Sequence, residues 1–330
     1  MSDTPWLSIL LPVHDVGPLL DDCVASILDQ GVAGIELVFV DDASPGDDAQ
    51  RLAAWRERRP DAVRVLAHEH NRGVSAARNT LLANARGEYL WFVDPDDLVE
   101  PGALAALRAI VAGDAPDLVL CDFRSFRDGV TERAHVETFD GPHRVRSRDR
   151  DALVAGLFRT GQMHPWSKIV RRAAWPETLR FPEGRVFEDL AVYPRLALAV
   201  ASFIHVPEPW IAYRQREGSI LALLSEKKLD DWTLALVGYP VAMREAGARL
   251  ADATLFEVAH FSARTLLRAV RRWRALCTHA YAGERLQAFG ARWRASSPLS
   301  REELARAYLR RRMFGRWAQF LWTLRGIDRE

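Results

Sequence analysis

Glu88–Glu100, EYLWFVDPDDLVE, is the stretch that decides the fold. Its apolar run Tyr89–Val93 reads as a buried strand, and the strand leads directly into three carboxylates, Asp94, Asp96 and Asp97. Three acids packed at the carboxyl end of a core strand repel one another and resist desolvation unless a cation or a set of donors neutralises them. Hard oxygen ligands favour Mg²⁺ or Mn²⁺, which keep positions open for the oxygens of a phosphate-bearing substrate. The competing reading is a solvated acidic turn that caps the helix beginning near Pro101. The rest of the chain has to choose between them.

Outward from this strand, residues 7 to 122 alternate short apolar runs with amphipathic segments. The runs Leu7–Pro12, Glu36–Asp41, Val63–Ala67, Tyr89–Val93 and Leu118–Asp122 read as strands of a parallel α/β sheet. Ligands of such sheets bind at the carboxyl ends of the strands, and there the polar residues gather: His14 and Asp15, Asp41 and Asp42, Asn71 and Arg72, Asp94 and Asp96. Residues 123–148 read as an irregular excursion or edge hairpin. They are followed by a helix over Asp149–Thr160, the segment Pro165–Arg172, and a helix carrying Glu188 and Asp189 in its first turn. Residues 226–330 read as about four helices with breaks near Gly247, Gly283 and Pro298. The expected organisation is therefore an α/β domain over 1–225 and an all-helical domain over 226–330.

Composition narrows the class. With 330 residues and 48% hydrophobic content the chain can fill a sizeable core. The net charge of +1 is unevenly spread: residues 261–330 hold sixteen arginines against five acidic groups, so the tail is basic and the body acidic. Cys23, Cys121 and Cys277 are far apart and show neither a disulfide framework nor zinc-ligand spacing. The N-terminus lacks the pattern of a signal peptide and no apolar run reaches the roughly 18 residues of a membrane span, so the expected compartment is the cytoplasm.

No GxGxxG follows the first strand, and neither GxxxxGK(S/T) nor GxSxG occurs, which removes the usual grounds for a dinucleotide, P-loop or α/β-hydrolase site. What occurs, in order, is LSILLPVHD, ELVFVDDASPGD and NRGVSAARNTLLANARGEYLWFVDPDD, then PWSKIVRR, FPEGRVFEDLAVYPRL and YRQREGSI. This order and spacing resemble the inverting family 2 glycosyltransferases of GT-A fold, over roughly residues 6–220.

The resemblance implies a role for each matching position. Asp42 matches the carboxylate that accepts a hydrogen bond from the nucleotide base, and Pro12, Val13 and His14 match the loop behind base and ribose; where the family often has an aromatic residue, this chain has His14. Asn71 and Arg78 match residues toward the nucleotide or its phosphates, although an Arg on a helix also serves ordinary ion pairs. Asp94 and Asp96 match the Asp-x-Asp that binds ribose and, through Mn²⁺ or Mg²⁺, the diphosphate; Asp97 either shares that work or caps the helix. Asp189 matches the base that takes the acceptor's proton, with Glu188 orienting the acceptor, and Trp166 and Lys168 match the acceptor side. Arg214, Arg216 and Ser219 lie in a segment that folds over the donor diphosphate in the family.

The implied reaction is a single in-line displacement with inversion, from a nucleoside-diphosphate sugar of the UDP type to a hydroxyl of a glycan, lipid-linked or small acceptor. The rival is a catalytically silent module that binds a nucleotide-sugar or glycan within a synthase, against which intact Asp94, Asp96 and Asp189 argue. A nucleic-acid partner is not expected. The tail segment REELARAYLRRRMFGRWAQFLWTLRG, with Leu304, Leu309, Met313, Trp317, Phe320 and Leu324 among arginines, reads as a cap on the body, a contact between copies, or a peripheral anchor at the inner membrane face.

Overall fold

The structure is a computed structural model that describes residues 4–128, 134–215, 225–276 and 282–329. The chain groups into two compact units.

The first unit comprises residues 1–149, 162–184 and 199–217 and is built on a nine-stranded sheet. Its strands are β1 (Leu7–Val13), β2 (Ile35–Asp41), β3 (Val63–Ala67), β4 (Tyr89–Phe92), β5 (Leu98–Val99), β6 (Leu118–Phe126), β7 (Ala134–Val136), β8 (Lys168–Arg171) and β9 (Phe203–Arg214). The order is β3-β2-β1-β4-β8-β6-β9-β5, with β7 paired to β6. α1 (Leu19–Leu28), α2 (Asp48–Arg58), α3 (Val74–Asn84) and α4 (Ala103–Gly113) connect its first half. Every residue of β1 and β2 is buried, as expected of parallel strands covered on both faces. β3, β2, β1 and β4 are parallel, and that alignment brings the ends of β1, β2 and β4 to one edge of the sheet.

The strands expected over residues 7–122 run parallel, and three strands outside that expectation make the sheet mixed. β8 runs antiparallel between β4 and β6, β5 is antiparallel to β9, and β7 is antiparallel to β6 as the edge-hairpin reading had it. β9, parallel to β6, is twelve residues long and was absent from the sequence reading. Pro207 and Pro209 interrupt its pattern, since proline cannot donate to a ladder. The sheet absorbs them at an irregularity: Cys121 faces Val206, but the next residue, Asp122, faces Pro209.

The second unit comprises residues 150–161, 185–198 and 218–330 and is helical. It holds α5 (Arg150–Thr160), α6 (Glu188–Ala199), α7 (Glu226–Leu234), α8 (Tyr239–Glu245), α9 (Asp252–Leu276), α10 (Ala282–Ser296), α11 (Arg301–Arg310) and α12 (Phe314–Arg329). The 25-residue α9 is its spine, with α5, α7, α10, α11 and α12 packed on it. Leu266, Trp273, Phe289, Trp293, Tyr308 and Phe320 anchor the core. Residues 226–330 thus form six helices among the described residues, not four. The additional breaks fall at Gly238 and Arg312, both at positive φ (79° and 56°). The break near Pro298 stands, sharpened by a capping box in which Ser300 Oγ accepts from Glu303 N–H at 3.2 Å and Glu303 Oε2 from Ser300 N–H at 2.8 Å. Among the described residues no helix is long and apolar enough to cross a membrane.

Candidate active site

β1 and β2 end side by side, Val13 opposite Asp41. Pro12 and Val13 are buried, the Val13 carbonyl accepting from Asp42 N–H at 2.8 Å, and His14 is exposed. Both strand ends turn through left-handed backbone, Asp15 at φ 53° and Ala43 at φ 55°, which costs a non-glycine residue on the order of 1–3 kcal/mol. Local bonds hold the turns. Ser44 N–H donates to Asp41 Oδ1 at 2.9 Å, Asp15 N–H to Ser44 Oγ at 3.3 Å, and the buried Asp48 carboxylate accepts from the Val16 and Gly17 amides at 2.9 and 2.7 Å.

Asp42, one residue past β2, is buried and binds that end to the loop before α3. Its carboxylate accepts from Arg72 N–H at 2.9 Å and Gly73 N–H at 2.7 Å, and His68 Nδ1 lies 2.6 Å from Oδ1. His68 is in turn oriented by Thr80 Oγ1, 2.9 Å from Nε2. Gly73 takes φ 86°, a conformation open to glycine, and the Asn71 side chain closes the loop. Asn71 Oδ1 accepts from Gly73 N–H at 2.9 Å, and its Nδ2 is 2.8 Å from His14 Nε2. His14, Asp42 and Asn71 therefore belong to one network, in which Asp42 acts by holding the loop.

At the end of β4 the three aspartates separate by environment. Asp94 is 31% exposed and pairs with Arg78, whose Nη2 donates to Oδ1 at 2.9 Å. Arg78 itself is buried, with its guanidinium over the Phe181 ring at 5.7 Å. Asp96 is half-buried. Asp97 is fully buried: Oδ1 accepts from Arg214 N–H at 2.8 Å, Oδ2 has no partner, and burial, reinforced by the charges of Asp94 and Asp96, holds its carboxyl well above the usual carboxylate range. Arg214 braces the turn from behind. Its Nε donates to the Asp96 carbonyl at 3.0 Å, its Nη atoms reach Asp128 and Asp22, and its guanidinium lies 5.0 Å from the Phe126 ring centroid. Arg216 and Ser219 lie outside the described residues.

Among the described residues no group of three or more Asp, Glu, His or Cys side chains could hold a metal by itself. Two partly exposed carboxylates on a braced turn fit a different type of site, one in which Mg²⁺ or Mn²⁺ takes most of its ligands from phosphate and water. The residues present are compatible with such an ion at Asp94 and Asp96.

Before β8, a short 3₁₀ turn over Pro165–Ser167 carries Trp166. The Trp166 ring is sandwiched between His164, at 4.6 Å and 5°, and Tyr213, at 5.8 Å and 19°, with Phe123 edge-on at 4.4 Å. Lys168 is buried and its ammonium holds the turn, donating to the carbonyls of Gln162 (2.8 Å) and His164 (3.0 Å) and to Ser167 Oγ (2.9 Å). Burial first, then the Lys168 charge, lowers the His164 imidazole to about 4. Sequence reasoning did not connect Tyr213 or Phe123 to Trp166, because they come from strands far apart in the chain. It also had no signal that Lys168 would point inward.

In the helical unit, α6 opens with Glu188 and Asp189 directly after Phe187, which takes φ 60°. Phe187 stacks on Trp232 at 5.6 Å, and Val186 N–H donates to Asp231 Oδ2 at 3.2 Å, so α7 fixes the strained entry to α6. Glu188 is buried, whereas Asp189 is half-buried and its Oδ1 accepts from Leu190 N–H at 2.7 Å.

Comparison with known proteins bears on this arrangement. Residues 8–177 match the family described as Glycosyl transferase family 2. The chain is 27% identical over 237 residues to Glycosyltransferase GlyA of Streptococcus pneumoniae serotype 4, which covers 70% of this chain and 33% of GlyA. It is 28% identical over 259 residues to the putative glycosyltransferase EpsH of Bacillus subtilis, covering 76% and 72%. It is also 37% identical over 231 residues to the minor teichoic acid biosynthesis protein GgaB of Bacillus subtilis, covering 68% and 25%. The matched stretch thus spans only about a third of GlyA and a quarter of GgaB. Among solved structures, residues 1–349 of S. aureus TarS in complex with UDP-GlcNAc superpose with a TM-score of 0.69 at 20% identity, covering 97% of this chain and 91% of that one. That likeness shows the fold, and the GT-A architecture implied by the motif order is the one observed. With the family pattern matched over more than half of its length, the chain belongs to glycosyl transferase family 2.

Proposed function

We propose that the chain is a cytoplasmic glycosyltransferase that moves a sugar from a UDP-sugar to a hydroxyl of a glycan, lipid-linked or small acceptor, with inversion at the anomeric carbon. The observation that carries the reading is the meeting of the β1, β2 and β4 ends. There a loop held by Asp42 stands beside a two-carboxylate turn braced by Arg78 and Arg214. The UDP and UDP-GlcNAc complexes of TarS support the donor class, and the role printed for GgaB supports glycan synthesis.

In this reading the 12–14 segment backs the base and ribose, and the Asn71 loop positions the nucleotide. Asp94 and Asp96 would hold Mg²⁺ or Mn²⁺, which when bound would neutralise charge building on the departing diphosphate. Arg78 and Arg214 keep the turn rigid, so little reorganisation is needed as that charge develops. The acceptor proton is assigned to Asp189, on the first turn of α6, where the helix dipole favours the ionised, proton-accepting form. Glu188 and the Trp166 turn are assigned to the acceptor side.

Two variants test the assignments. Asp189→Asn should bind the donor like the unaltered enzyme while transfer falls by roughly two to four orders of magnitude. Asp96→Asn should lose metal-dependent donor binding, read by titration calorimetry with Mn²⁺ or with chelator. Near-normal transfer by Asp189→Asn would move the base elsewhere, Glu188 first. Donor binding by Asp96→Asn that still responds fully to Mn²⁺ would remove Asp96 from the metal site.

A further inference from the structure

The outward face of the last helix has no part in the reading above. α12 buries Phe320, Leu324 and Ile327 in the helical core. With 3.6 residues per turn, Phe314, Trp322 and Arg325 fall within one arc of roughly 80° on the other side. Phe314 is 60% and Trp322 68% exposed, the highest values among the large apolar side chains described. The face is wider than one helix. Arg274, near the end of α9, lies over the Trp322 ring at 5.4 Å, and Leu276, two residues on, is 48% exposed. At the other end of α12, Arg310 is exposed on the closing turn of α11. Neither Arg310 nor Arg325 pairs with a carboxylate among the described residues, and the nearby Asp328 is taken by Arg301 at 2.8 Å.

Exposed aromatic rings set among arginines match the boundary of an anionic bilayer, where rings settle at headgroup level and guanidinium groups meet lipid phosphates. We propose that this face docks the chain on an anionic lipid surface. A second copy fits it less well, because a twofold contact would set these arginines against themselves, and the neighbouring Asp328 is already paired with Arg301. The proposal needs neither donor nor acceptor and so stands or falls apart from the transfer reaction.

The test is sedimentation of the full chain with vesicles of phosphatidylcholine alone or mixed with phosphatidylglycerol. Partition onto the anionic vesicles should be about tenfold or more higher at low salt, and the preference should disappear at high salt. Arg325→Glu should weaken it by about fivefold or more. The double variant Phe314→Ser, Trp322→Ser should abolish it with an unchanged melting temperature, since both side chains stand outside the core. Equal and negligible binding to both vesicles, or a double variant that binds like the unaltered chain, would overturn the proposal. A concentration-dependent dimer that the double variant abolishes would overturn it too and assign the face to a second copy.

Discussion

At Asp97 the acidic turn departs from what its spelling implies. Three aspartates in four residues look interchangeable, yet Asp97 is fully buried and its carboxyl is held well above the usual carboxylate range, while Asp94 and Asp96 reach solvent. Its work is to accept the Arg214 amide and so tie the turn to β9. Asp97→Asn keeps that acceptor and removes only a carboxyl whose charged form burial disfavours, so melting temperature and donor binding should stay close to the unaltered values. Asp97→Leu strands the amide and should cost about 1–3 kcal/mol in a denaturant titration. A loss in Asp97→Asn as large as in Asp97→Leu would mean that the group is ionised in the folded chain. His164 is the second residue whose environment was not legible in sequence, because its partners Trp166, Phe123 and Lys168 converge only in the fold. The unfolded chain takes up a proton on this imidazole near pH 6.5 and the folded chain only near 4. The associated stability is therefore complete above pH 6.5 and is lost as pH falls toward 4. His164→Phe should flatten that part of the profile of melting temperature against pH, and an unchanged slope would contradict the assignment.

Among the elements, β1 and β4 approach each other through Gly87. Gly87 N–H donates to Ser8 Oγ at 2.8 Å, Ser8 Oγ donates to Glu36 Oε1 at 2.6 Å, and Arg86 N–H donates to the same oxygen at 2.8 Å. A Cβ at Gly87 would stand 2.7 Å from Ser8 Oγ and against the β1 backbone. Gly87→Ala should therefore destabilise the first unit by about 1–3 kcal/mol, measured by chemical unfolding, and an unchanged unfolding midpoint would refute the close approach. The central strands were readable because Leu7–Val13, Ile35–Asp41 and Tyr89–Phe92 are apolar runs, interrupted only at Ser8 and Glu36, that lead into polar groups. β8 was not, since four residues placed antiparallel between β4 and β6 carry too little pattern. β9 hid behind Pro207 and Pro209, whose missing donors are tolerated only where its pairing with β6 is irregular. In the tail, Leu304, Phe320 and Leu324 were legible as apolar positions of an amphipathic segment, while their burial, and the exposure of Leu309, Phe314 and Trp322, followed only from the packing of the helices.

For the whole molecule, the residues of the candidate site that sequence could bring to one edge are those that strand ends announce: Asp42 after β2, Asn71 before α3, and Asp94 and Asp96 after β4. Spacing along the chain could place these because a parallel sheet brings consecutive strand ends to one edge. It gave no sign of the partners of Arg214, which the resemblance set toward the donor diphosphate and which reaches Asp22, Asp96 and Asp128 from a strand more than eighty residues downstream of any of them. The arginines were thus named from sequence, while their bracing of the carboxylates and of the Asp96 carbonyl became visible only in the fold. The central claim is that this turn serves transfer from a UDP-sugar, and release of nucleoside diphosphate by the full chain tests it most directly. UDP-, GDP- and dTDP-sugars would each be supplied with Mn²⁺ or Mg²⁺, and again with EDTA. The account predicts UDP release from at least one UDP-sugar, abolished by EDTA and by Asp96→Asn. Binding of UDP-sugars without release of UDP under any of these metal conditions would contradict it and leave the chain a silent nucleotide-sugar-binding module.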